Sequence, residues 1–144
     1  MALPSPWQSY RQVSTTTAPP GTLVLMLYDG VLRFLDQALR GFQLDDPLEF
    51  NQTINNNLTR AQEIIRELNY ALDLERGGEL AATLRRLYEY MDEQLHESNL
   101  HKRDAGIHEV IRRLTVLRDS WSEMLRSQGA GPGATAAGGL SVTG

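Results

Sequence analysis

Residues 22–50 read TLVLMLYDGVLRFLDQALRGFQLDDPLEF, and the fold follows from how this stretch starts, stops and starts again. At 100° per residue Leu25, Tyr28, Leu32, Leu35, Leu39 and Phe42 form one apolar stripe of a helix. Val24, Leu27, Val31, Phe34 and Ala38 form a second stripe beside it, and with Leu23 the two cover roughly 200°. The spacing predicts a helix that begins after Pro19-Pro20-Gly21, with Thr22 as candidate N-cap, and ends near Phe42. Gly41 and then Asp45-Asp46-Pro47 stop it. Asp46 as cap with Pro47 at the first helical position starts the next one. A chain that ends one helix and begins another within a few residues turns back on itself, so the two are antiparallel neighbours.

The same logic extends outward. The second helix carries Phe50, Ile54, Leu58, Ala61, Ile64, Ile65, Leu68 and Leu72 on one face. Gly77-Gly78 breaks the chain, and Leu80, Leu84, Leu87, Met91 and Leu95 define a third helix. Asp104 reads as the cap of a fourth, whose face is Ile107, Val110, Ile111, Leu114, Leu117, Trp121, Met124 and Leu125. The expected fold is all-α, an antiparallel up-down four-helix bundle over residues 21–126. Residues 1–20 hold four of the six prolines and read as an extended N-terminal arm. Residues 127–144 hold six of the twelve glycines and read as a flexible, disordered C-terminal tail.

Composition narrows the function. A chain of 144 residues with 41% hydrophobic and 22% charged residues can form one packed domain, which argues against wholesale disorder. With no cysteine there is no disulfide framework, thiolate metal site or Cys nucleophile. A net charge of -4 argues against a general nucleic-acid binder. The arginine doublets Arg85-Arg86 and Arg112-Arg113 are interspersed with Glu89, Glu93 and Glu109, as on ordinary solvated helix faces. The N-terminus lacks a secretory signal, and the longest apolar run, Leu23 to Tyr28, falls far short of a membrane span, so a cytoplasmic location without membrane insertion is expected.

Helix one has more apolar surface than a bundle needs. Either it is the most central element, with the arm over part of it, or part of the surplus receives another protein's apolar helix. Three function classes compete. Glu93 and His96 form a Glu-x-x-His motif at the spacing of bundle di-iron sites, the basis for a metal-binding enzyme, but a second motif is missing and helix one has no Glu. A structural bundle that buries the surplus face in a homodimer is another reading. The third is a binding module without cofactor, and no Gly-x-Ser-x-Gly elbow or phosphate loop speaks for an enzyme over it.

A resemblance favours the binding module. Tyr10, Val13, Thr17-Ala18-Pro19, Met26-Leu27-Tyr28-Asp29-Gly30 and Arg33-Phe34-Leu35 occur in the order found in the flagellin-specific export chaperones, the FliS family. The similarity continues through Ala61-Gln62-Glu63-Ile64-Ile65-Arg66-Glu67-Leu68, Leu72-Asp73 and Gly77-Gly78-Glu79-Leu80-Ala81. It closes with Leu87-Tyr88-Glu89-Tyr90-Met91, Asn99, Asp104 and Leu117-Arg118-Asp119-Ser120-Trp121. The arm before Tyr10, with Pro4, Pro6 and Trp7, and the tail after Arg126 depart from the family pattern.

The resemblance implies a cytoplasmic bundle that binds the disordered C-terminal segment of flagellin, prevents its premature polymerisation and escorts it to the cytoplasmic domain of the flagellar export gate. It assigns Tyr10 and Val13 to a plug over the client site, with Tyr10 also a candidate for docking to the gate. For the client groove the expectation is Leu23, Leu27 and Tyr28 of helix one with Leu68 and Leu72 of helix two. Gly30 is expected to allow close helix approach, and Asp29 and Asp73 to serve local hydrogen bonding.

Overall fold

The computed structural model describes residues 20–129; the expected arm, with Tyr10 and Val13, and the tail from residue 130 onward lie outside them. Four helices follow in order: α1 Pro20–Gly41, α2 Pro47–Tyr70, α3 Leu74–His101 and α4 Ala105–Gly129. The described residues contain no strand. Both α1 and α3 pack against α2 and α4, which closes a ring of four helices. The links 42–46, 71–73 and 102–104 are too short for anything but reversals, giving the antiparallel all-α bundle expected from the sequence.

Helix ends follow local chemistry. The Asp46 side chain accepts the Glu49 N–H at 2.9 Å and Pro47 fills the first helical position, as the sequence indicates. Two starts differ from expectation. α1 already begins at Pro20, so Thr22 lies inside the helix; proline's fixed φ suits the first turn, where its missing N–H forfeits no bond. α3 begins at Leu74, where Asp73 accepts the Arg76 N–H at 3.0 Å, ahead of the glycine pair read as a break. Gly78 (φ 55°, ψ −131°) instead kinks the helix, in a conformation open to glycine and strained for other residues. At the other end of α3, Lys102 turns left-handed (φ 50°) and closes the helix.

The core draws on both stripes of α1: Leu27, Val31 and Ala38 from one, Tyr28 and Leu35 from the other. α2 adds Ile54, Leu58, Ala61, Ile64, Ile65 and Leu68, α3 adds Tyr88, Met91 and Leu95, and α4 adds Ile107, Val110 and Leu114. Each large side chain so buried contributes roughly 1.5–3 kcal/mol, opposed by the entropy of ordering the chain. The tightest glycine approaches are not at Gly30, where an added Cβ would meet Ile64 at an ordinary 3.5 Å. They are at Gly41, against Thr53 at 2.9 Å, and Gly106, against the Gln94 carbonyl oxygen at 2.9 Å.

Polar ties fix the register between neighbours. Asp92 of α3 accepts from Gln62 (2.8 Å) and Arg66 (3.0 Å) of α2. Tyr90 of α3 donates to Glu109 of α4 at 2.7 Å. Arg118 of α4 pairs with Asp29 of α1 at 2.7 Å, so Asp29 serves a contact between distant segments while Asp73 acts locally as a cap.

Candidate functional site

The start of α1, the end of α2, the start of α3 and the end of α4 meet at one end of the bundle, and there the packing leaves a cavity of about 150 Å³. Val24 and Tyr28 line it from α1, Leu68 from α2, Leu80, Ala81, Leu84 and Tyr88 from α3, and Trp121 from α4. Ala71, Leu72 and Asp73 of the α2–α3 link, with Gly77, complete the wall. Gly77 explains part of the vacancy: an element passes this corner of the bundle without contributing a side chain.

The aromatic groups leave the wall apolar by satisfying one another. The hydroxyls of Tyr28 and Tyr88 share a hydrogen bond of 2.7 Å, and burial raises the acidity constant of both above the usual tyrosine value. The Trp121 ring meets Tyr28 edge to face at 6.3 Å between centroids, and its indole N–H donates to the Gly21 carbonyl at 2.8 Å. Trp121 thereby ties the first turn of α1, next to where the arm joins, to the cavity wall. Residues 21–26 are all half-buried, among them Leu23, Val24 and Leu25. A partly open apolar strip therefore runs along the start of α1 beside the cavity.

Of the site residues expected from the sequence, Tyr28, Leu68 and Leu72 come together at this cavity. Leu27 is 6% exposed and belongs to the core, and Leu23 is half-buried against the core's edge; neither lines the cavity. Tyr10 and Val13 fall outside the described residues. Sequence reasoning missed Val24, Leu80, Leu84, Tyr88 and Trp121 as site residues, having assigned most of them to helix stripes. The signal that could have found them is the glycine pair, read as a gap in a wall instead of a break in a helix.

Glu93 and His96 are both exposed on α3. Among the described residues no group of three or more acidic, His or Cys side chains is placed to hold a metal ion. No helix of the described residues is long and apolar enough to cross a membrane. The arrangement offers shape and apolar surface, with its polar atoms already engaged, which suits the seating of an apolar side chain.

A family model described as flagellar protein FliS matches residues 4–128. The chain is 40% identical over 129 residues to the flagellar secretion chaperone FliS of Bacillus subtilis strain 168, covering 89% of this chain and 92% of that one. It is 36% identical over 118 residues to the flagellar secretion chaperone FliSB of Pseudomonas aeruginosa, covering 79% and 90%. It is 32% identical over 122 residues to the flagellar secretion chaperone FliS of Salmonella typhimurium, covering 81% and 87%. With a family match that spans nearly the whole bundle and relatives aligned over most of their length, this chain belongs to the FliS family of flagellar secretion chaperones.

Proposed function

We propose that this chain is a cytoplasmic chaperone that binds the disordered C-terminal segment of flagellin, keeps it from polymerising prematurely and escorts it to the cytoplasmic domain of the flagellar export gate. The observation that carries the reading is the apolar cavity at the bundle end beside the half-exposed start of α1, in a chain of this family. A disordered client loses conformational entropy when it folds on its partner, and a track of apolar surface offsets that loss. Tyr28, Leu68 and Leu72 form the floor of the seat, Leu23 its approach, and Leu27 supports it from the core. Tyr10 and Val13 act at the same seat from the arm. The chain performs no covalent chemistry and takes no cofactor in this role.

The test is a calorimetric titration with the C-terminal ~50 residues of a flagellin from the same genome, a length of the order of those known to fold on binding. One-to-one binding with a large negative heat-capacity change supports the reading. A chain lacking residues 1–17 that binds more tightly makes the arm a plug, and one that binds more weakly makes it part of the client seat. Absence of binding by both forms overturns the reading.

A further inference from the structure

A second recess adjoins the cavity, and Leu72 lines both. It is a groove of about 360 Å³ between the outer faces of α2 and α3, with Arg66, Asn69, Tyr70, Arg85, Glu89 and Asp92 around it. Unlike the cavity, it is polar. Its acids are engaged: Asp92 accepts from Gln62 and Arg66, and Glu89 pairs with Arg85 at 3.5 Å. The two guanidiniums are about half exposed (55% for Arg66, 50% for Arg85) and keep N–H donors beyond those pairs. Asn69 Oδ1 is buried and receives no donor from the described residues. Tyr70 stands 84% exposed at the edge.

The groove therefore presents spare donors on arginine and an unmet acceptor on asparagine. A primary amide answers both, because its oxygen accepts and its NH2 donates from adjacent atoms. A carboxylate answers only the arginines, and an ammonium only the asparagine. We propose that the client segment continues from the apolar cavity across Leu72 into this groove, and that an Asn or Gln side chain of the client, paired with Asn69 and the arginines, sets its register there. Apolar seating alone tolerates a client shifted by one helical turn, whereas a hydrogen-bonded amide does not. The proposal rests on the client reading above and names the specificity element of that site.

The experiment uses the full chain and the same flagellin segment. The photoreactive residue p-benzoylphenylalanine replaces Tyr70 in one variant and Val116, 63% exposed on α4, in another as control. Separately, Asn69→Leu removes the unmet acceptor, a change that a buried unsatisfied group tolerates without loss of fold. The expected results are a client crosslink from position 70 and none from 116. Asn69→Leu should bind about tenfold more weakly with a thermal midpoint no lower than that of the parent chain. If the parent chain binds the segment but position 70 gives no crosslink, or Asn69→Leu binds as tightly as the parent, the groove proposal is wrong while the client reading stands. If the parent chain does not bind the segment, the client reading itself falls.

Discussion

The Tyr28–Tyr88 hydroxyl pair yields a sharp prediction about the wall of the cavity. The two rings are 1% and 2% exposed and their hydroxyls are 2.7 Å apart, with 60 residues between them in sequence. Tyr28→Phe removes one hydroxyl and strands the other in a place with little water, so it should cost about 1–3 kcal/mol; Tyr88→Phe should cost the same. The double variant removes both groups and leaves two phenylalanine rings of nearly unchanged shape, so it should cost less than the sum of the single changes and be close to neutral. The coupling in this cycle should therefore be on the order of 1–3 kcal/mol in favour of the double variant. Urea unfolding of the four proteins measures it, with unchanged slopes required for the comparison. Strict additivity, with each single change near zero, would refute the paired arrangement of the wall.

Other outcomes follow from single positions and solvent. Gly78→Ala should lower stability by about 1–3 kcal/mol in the same assay through backbone conformation alone, because nothing lies within 4 Å of an added Cβ while φ is 55°. Gly30→Ala should be neutral or stabilising by up to ~1 kcal/mol, whereas Gly106→Ala, whose Cβ would sit 2.9 Å from the Gln94 carbonyl oxygen, should cost about 1–3 kcal/mol. Burial raises the tyrosine pair's acidity constants above 10.0, so the stabilisation tied to them is complete below pH 10.0 and declines above it, where the unfolded chain gives up protons that the folded chain keeps. Tyrosinate absorbance in folded protein should accordingly lag that of the unfolded chain; coincident titrations would contradict the burial of the pair.

Helix number, order and direction were legible because they depend on local patterns: the apolar spacing of each helix, the Asp46-Pro47 start and the short links. The family's motifs were legible for the same reason. The cavity was not, since it depends on the axial register of four helices, and register is set by pairs such as Arg118 with Asp29 and Trp121 with Gly21, 89 and 100 residues apart. A helical wheel also could not say which stripe of α1 is surplus. The structure places the bundle seam between the two, so Leu27 goes to the core while Leu32, Phe34 and Leu39 stay half-buried. Gly77-Gly78 illustrates the limit most clearly: the sequence marks a local departure from helix, and only the packed bundle shows that Gly77 borders an unfilled corner.

The central claim is that this corner seats an apolar side chain of the client, and filling it is the direct test. Ala81 is 3% exposed and lines the cavity, so Ala81→Leu puts three further carbons into a space of about 150 Å³. Calorimetric titration with the flagellin C-terminal segment should show affinity reduced by at least about tenfold, with a thermal midpoint equal to or above that of the parent chain. A filled variant that is as stable as the parent and still binds with full affinity would contradict the account.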